Sequence, residues 1–296
     1  MPDLLQATAQ YIDSSYQEEY HKNYRLSIQL RLDGFSFAII DPNTKQLLLL
    51  KEYKIAVAPH QDSEQKWFHL YEYFISYIGQ NDVVPEHFDK TIVALDHKEY
   101  TLLPEVLFQK ETQEKILTFS QAPPYSFVTF NNKIPGSDYR FIAAIYKPLF
   151  LALGDFSKAV SITHSAMVLQ NEIQKLHKNK NLGDRVYVSV SIHDMHIIAV
   201  SGTEVVLSNS YSFSSKEDFV YFILLCYDQL KMNTEVAPLY FLGDIGRTSP
   251  IYHICWQYIR HIHFVDQLSE MKLGAAFDQM PIHQYYTLIQ TALCEL

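Results

Sequence analysis

Residues Tyr24 to Tyr53 read YRLSIQLRLDGFSFAIIDPNTKQLLLLKEY. Apolar residues alternate in YRLSIQL and in FSFAII, and Asp33-Gly34 joins the two runs with a dipeptide favoured in tight hairpins. Asp41-Pro42-Asn43 marks the next turn, before LLLLKEY. The stretch predicts three consecutive antiparallel strands. After Pro59 the spacing changes. Trp67, Leu70, Tyr71, Phe74, Ile75 and Ile78 recur at helical intervals, with Asp62 or Ser63 able to cap the start and Gly79 to close the end. The apolar run TIVAL from Thr91 supplies a fourth strand.

The same order returns from Arg185. RVYVSVSI leads through His193-Asp194 into MHIIAV, and Ser201-Gly202-Thr203 turns into EVVLSNSYSF. Ser214 and Glu217 have capping-box spacing ahead of a helix bearing Phe219, Phe222, Ile223, Cys226 and Leu230. Pro238 then introduces the strand LYFLG. Strand, strand, strand, helix, strand occurs twice, although residue identity between the copies is negligible, so the sequence predicts a duplication of element order.

Between the copies, FIAAIYKPLFLAL, AVSITH and SAMVLQNEIQKLHK read as strand, helix, strand, helix, ending in the polar stretch Lys178 to Asp184. That stretch is the expected junction, giving halves of 1–180 and 181–296. With 296 residues the chain is long enough for each half to bury its own core. The tail from Pro281, apolar at Ile282, Tyr285, Tyr286, Ile289 and Leu293, predicts a closing helix.

Composition narrows the classes. Hydrophobic residues make up 48% of the chain against 19% charged, the balance of a globular protein rather than a disordered one. A formal net charge of −9 opposes binding to phosphate backbones, so no nucleic-acid partner is expected. Three cysteines, Cys226, Cys255 and Cys294, are too few for a disulfide framework and point to a reducing, cytoplasmic setting. The start MPDLL lacks a basic, apolar leader, and no run approaches the roughly 20 apolar residues of a spanning helix. Neither export by a cleavable signal nor membrane insertion is expected.

Three antiparallel strands feeding a helix and parallel strands, duplicated in one chain, are the plan of the actin, sugar-kinase and Hsp70-type superfamily. More narrowly, the chain resembles a bacterial family of proteins of unknown function with an actin-like ATPase fold. LSIQLRLDGFSFAIIDP, TLLPEVLF near Thr101, AVSITHSA near Ala159 and the ending Leu293-Cys294-Glu295-Leu296 carry that resemblance. The stretch from Phe141 to Leu176 is more distantly similar to cytoplasmic actin-like proteins of pilus assembly and secretion systems. The implied fold is a duplicated, ribonuclease H-like α/β architecture of two mixed five-stranded sheets flanked by helices.

Fold alone does not carry activity. In active members of the superfamily, an Asp at the end of the first strand acts through a metal, beside a glycine-bearing hairpin whose N–H groups meet the phosphates. By that resemblance, Asp33 and Gly34 occupy the first phosphate hairpin, and Asp194 the second, where Ser191-Ile192-His193-Asp194-Met195-His196 has no glycine. Bulky Leu32, Phe35, Met195 and His196 are expected to crowd these turns. Gly243, Asp244 and Gly246 in LGDIG stand at the adenosine-binding turn.

Other chemistries find little support. His193 with His196, and His253, Cys255, His261 and His263, lack the Cys-x-x-Cys or His-Glu-x-x-His partners of a metal site. There is no Gly-x-Ser-x-Gly, no P-loop and no Gly-x-Gly-x-x-Gly. The 21 Tyr and 18 Phe suit packing and protein interfaces. The leading expectation is a non-catalytic actin-like scaffold that binds other proteins, with no cofactor and no catalytic residue. The alternative keeps ATP with magnesium around Asp33, Asp194, Gly243 and Gly246, and a third reading is a small-molecule sensor.

Overall fold

A computed structural model describes residues 6–57, 61–80, 84–155, 160–268 and 270–294. Pro59, Ala159, Glu295 and Leu296 lie outside the described residues. In chain order the elements are β1 (Ala9–Ile12), β2 (Arg25–Arg31), β3 (Gly34–Asp41), β4 (Gln46–Lys54), α1 (Ser63–Gln80), β5 (Lys90–Asp96) and β6 (Tyr100–Pro104). There follow α2 (Gln113–Gln121), β7 (Phe127–Lys133), β8 (Tyr139–Tyr146), α3 (Lys147–Asp155), β9 (Val160–His164) and α4 (Ser165–Asn179). The second run comprises β10 (Arg185–Val190), β11 (Asp194–Ser201), β12 (Glu204–Ser212), α5 (Lys216–Gln229), β13 (Leu239–Gly243), α6 (Pro250–Cys255), β14 (Ile262–Phe264) and α7 (Ile282–Thr291).

The chain packs as two units. Unit 1 comprises 1–168, 269–280 and 288–296, and unit 2 comprises 169–268 and 281–287, so the division falls inside both α4 and α7. The halves 1–180 and 181–296 are a proposal about the repeated element order and are distinct from these packing units.

The sheets carry the repeat. Unit 1 has the order β1-β4-β3-β2-β5-β9 and unit 2 the order β12-β11-β10-β13-β14. In each, the first three strands are antiparallel and the next two run parallel to the central strand, as β5 to β2 and β13 to β10. This is a duplicated α/β fold, with one correction to the expected pair of five-stranded sheets. Unit 1 has six strands because β1 joins the edge of β4, and a separate three-stranded sheet, β6-β8-β7, is inserted after β5. The four residues AQYI of β1 are too short for a periodicity signal; pairing with Leu49 to Glu52 makes them a strand.

Each unit closes over its own core. In unit 1, Leu26, Ile28 and Leu30 of β2 pack with Phe35 and Phe37 of β3 and with Trp67, Leu70 and Phe74 of α1, all fully or almost fully buried. In unit 2, Val186 and Val188 of β10 pack with Ile197, Phe219, Ile223 and Phe241. The helical spacing of Trp67 to Ile78 is thus a core-facing stripe.

Two helix starts separate expectation from outcome. Asp62 caps α1: its carboxylate accepts from Gln65 N at 2.8 Å, while Gln65 Oε1 accepts from Asp62 N at 3.2 Å. Gly79 falls within the last turn of α1 instead of closing it. For α5 the capping box is Ser215 with Asp218, one residue later than Ser214 with Glu217. The Ser215 hydroxyl accepts from Asp218 N at 3.0 Å, and the Asp218 carboxylate reaches back to the N–H groups of Ser214 and Ser215 at 3.1 and 3.2 Å. Ser215→Ala is therefore expected to destabilise unit 2 by about 1 kcal/mol in urea titration, and Ser214→Ala to change little. The reverse ranking would return the cap to Ser214.

Candidate functional site

The first candidate lies where β2 turns into β3. The loop is Leu32-Asp33, closed by the pair Arg31↔Gly34, so Gly34 begins β3 and is not part of the turn. Its φ of 150° favours glycine, and a Cβ there would meet the Tyr53 carbonyl oxygen at 2.0 Å. Gly34 is thus demanded by the close approach of β4.

The last residue of β2 is Arg31. Its Nη2 lies 2.8 Å from Glu52 Oε1 and its Nε 3.3 Å from Asp33 Oδ1, with the three side chains 11%, 10% and 12% exposed. Arg31 reaches from β2 past β3 to β4. The β3 position between Gln29 and Glu52 is Ser36, small enough to leave the guanidinium a path. Burial opposes the charge on Arg31, but Asp33, Glu52 and Asp96 overcome it and hold its pKa above the ordinary arginine value. Next to it, Gln29 Nε2 donates to Asp96 Oδ2 at 3.1 Å and to Ser165 Oγ at 3.0 Å. The end of this sheet is a buried polar network with its own cation. Sequence reasoning assigned no role to Arg31 or Glu52; the available signal was a cation directly before the Leu32-Asp33 turn.

The second group lies in unit 2. Val190 pairs with Met195 on one side and Gly243 on the other, so Asp194, Gly243 and Asp244 come to one end of one sheet. Gly243 has φ 78°, and a Cβ there would meet the Val190 carbonyl oxygen at 2.2 Å. Asp244 N donates to that same oxygen at 2.8 Å. Gly243 is required by contact with β10. Gly246 has open space around it, and its carbonyl accepts from Ser249 N at 3.0 Å. Asp194 Oδ1 accepts from Ser212 Oγ at 2.6 Å.

The expected crowding of the turns is only partly found. Phe35 and Met195 turn inward and are built into the cores of their units, and Leu32 packs against the core of unit 1. Those three side chains do not fill the turns. His196 is buried in β11, 3.4 Å from Ser210 Oγ, whereas His193 is exposed in the loop before it. Alternation along β11 separates Met195 from His196 onto opposite faces.

Cys226, Cys255 and Cys294 are buried free thiols, and burial pushes Cys226 up and Cys255 to about 12, away from nucleophilic character. Among the described residues no group of three or more His, Cys, Asp or Glu is placed to hold a metal ion. No helix among them is long and apolar enough to cross a membrane. An open hollow on α2 is lined by Glu114, Lys115, Thr118 and Phe119, all from this one helix.

Comparison with solved structures agrees with this architecture. A Bacteroides thetaiotaomicron protein with actin-like ATPase fold and unknown function matches with a TM-score of 0.76 at 19% identity, covering 95% of this chain and 100% of its own. The PilM-PilN type IV pilus biogenesis complex contains a chain matching with a TM-score of 0.55 at 8% identity, over 91% of this chain and 97% of that one. At these identities the likeness establishes the fold, which is actin-like. No curated protein matches the chain. The model of a protein family of unknown function, DUF3822, matches residues 13–262, most of the sequence. The chain belongs to the DUF3822 family.

Proposed function

We propose that this chain is a catalytically inactive member of the actin-like group, acting in the cytoplasm as a scaffold that binds other proteins. The observation that carries the reading is Arg31. A metal-phosphate complex at the end of the first strand needs a carboxylate free to hold the cation. Here the strand ends in a guanidinium, and Asp33, the carboxylate nearest the hairpin, is 3.3 Å from it. A fixed positive charge at that place opposes a divalent cation, and the acid that would answer it is already engaged. The two candidate glycines with positive φ, Gly34 and Gly243, are each required by a neighbouring strand, so neither argues for phosphate contact. A net charge of −9 disfavours nucleic acid as the partner. The likeness to a chain of the PilM-PilN complex adds a precedent for this fold in a protein assembly.

Calorimetric titration of ATP with magnesium into the full chain tests the catalytic half. The expected result is no turnover and no binding tighter than roughly millimolar, or about 4 kcal/mol. Micromolar affinity that disappears in Asp33→Ala or Asp194→Ala would promote the nucleotide-binding alternative. These positions are preferable to Gly243, whose replacement strains the fold whatever binds. Quantitative cross-linking of the chain in its native cells tests the scaffold half; a chain recovered without a stoichiometric protein partner would sink it.

A further inference from the structure

The two units share an irregularity as well as a strand order. In unit 1 the β3–β4 ladder runs Asp41↔Gln46 and Ile40↔Leu47, passes over Leu48, and resumes at Ile39↔Leu49. In unit 2 the β11–β12 ladder runs Ser201↔Glu204 and Val200↔Val205, passes over Val206, and resumes at Ala199↔Leu207. One extra residue two pairs from the hairpin makes Leu48 and Val206 equivalent, so Leu49 to Glu52 correspond to Leu207 to Ser210. In unit 1 that stretch is covered, since β1 pairs with it antiparallel from Ile12↔Leu49 to Ala9↔Glu52. In unit 2, β12 is the outermost strand, and among the described residues no strand lies beyond it.

Natural sheet edges are guarded by Lys, Pro or inward charges, because a bare edge pairs with whatever strand it meets. Between Val205 and Ser212, β12 has neither a charge nor a proline. Its Val206 and Asn209 are exposed. The strand is held in place from inside: Leu207 and Tyr211 pack against the unit 2 core, and the Tyr211 ring stacks on Phe222 at 4.7 Å. The edge is preformed, so pairing with it need not first order this strand.

The sequence of that edge indicates the occupant. Leu207-Ser208-Asn209-Ser210-Tyr211 has the same residue character from either end: apolar, Ser, Asn, Ser, apolar. A two-fold interface must be self-complementary, and two strands related by a perpendicular two-fold axis run antiparallel. Centred on Asn209, such a pair sets Leu207 opposite Tyr211 twice, Ser208 opposite Ser210 twice, and Asn209 opposite itself. Apolar positions then meet apolar ones and hydroxyls meet hydroxyls, the matches that stabilise cross-strand pairs. Glu204, the one charge of β12, lies outside this register.

We propose that β12 is a homodimerisation edge, pairing antiparallel with β12 of a second copy through Leu207 to Tyr211 and taking in unit 2 the place that β1 takes in unit 1. The inference is independent of whether the chain binds nucleotide. Sedimentation velocity of the full chain over a wide concentration series is the test, with hydrogen exchange of the 204–212 segment recorded on the same samples. The expected result is a rise in mass towards two chains, with slowed exchange in that segment. Asn209→Lys places two ammonium groups against each other at the axis and is expected to hold the protein monomeric at every concentration. Circular dichroism unchanged from wild type shows that this exposed substitution leaves the fold intact, and Ser208→Pro serves as a second edge-blocking variant. Dimerisation undiminished in both variants overturns the proposal. So does a wild-type chain that stays monomeric throughout, an outcome that assigns the edge to a strand from a different protein.

Discussion

Arg31→Ala is expected to cost about 3–5 kcal/mol of unfolding free energy, the range for removing one partner of a buried ion pair. The substitution strands two carboxylates, Asp33 and Glu52, whose side chains are 12% and 10% exposed. Urea titration of wild type and variant gives the difference directly. A triple replacement, Arg31→Met with Asp33→Asn and Glu52→Gln, removes the charges together and is expected to recover most of the loss, because the penalty comes from uncompensated charge and not from a missing contact. A cost under about 1 kcal/mol for Arg31→Ala, the level of a surface pair, would show that the network is solvated and would remove the observation behind the proposed inactivity.

The stability of unit 2 is expected to fall as pH drops below about 6.5, with His196 as a main cause. Burial pushes its pKa down to about 3, against a smaller upward pull from the backbone of Asn209. The unfolded chain takes up a proton near the ordinary histidine value, whereas the folded chain leaves His196 neutral until about pH 3. Protons therefore favour unfolding throughout that window, by about 2–3 kcal/mol for this one group between pH 6.5 and 4.5. His177 and His283 are also held below their ordinary values, chiefly by burial, and add slope of the same sign. In Glu99, burial raises the pKa but His97 more than offsets it, leaving it below its ordinary value of 4.5. Its contribution is present above that value and is lost as pH falls further. The difference between wild type and His196→Leu in urea titrations at pH 6.5 and 4.5 isolates the histidine. Equal pH slopes in the two proteins would mean that water reaches the imidazole in the native state.

Both predictions rest on polar residues inside strands, where periodicity is a poor guide. In β2, Leu26, Ile28 and Leu30 alternate with Ser27, Gln29 and Arg31, a pattern that by itself reads as one dry and one wet face. All six are buried. Ser27 Oγ donates to the Leu288 carbonyl oxygen at 2.8 Å, a partner 261 residues away. Arg31 meets Glu52 across an intervening strand. Local spacing contains no information about such partners.

What the sequence determined by itself is the order of elements. The hairpin signal at Asp33-Gly34, the turn residues Asp41-Pro42-Asn43 and Ser201-Gly202-Thr203, the alternation of β2, β3, β10 and β11, and the stripe from Trp67 to Ile78 are local, since φ preferences and side-chain periods act within a few residues. They sufficed for a duplicated α/β plan and for a resemblance to actin-like proteins. Tertiary structure alone decided the rest. It made a strand of Ala9–Ile12 by giving it an edge to pair with, and turned Phe35 and Met195 into the cores. It also closed Arg31 between Asp33 and Glu52 and, among the described residues, left β12 with no strand on its outer side. Each of these depends on which distant segment lies alongside, and that is fixed by burial of the whole chain against its conformational entropy, a balance that no short window of sequence contains.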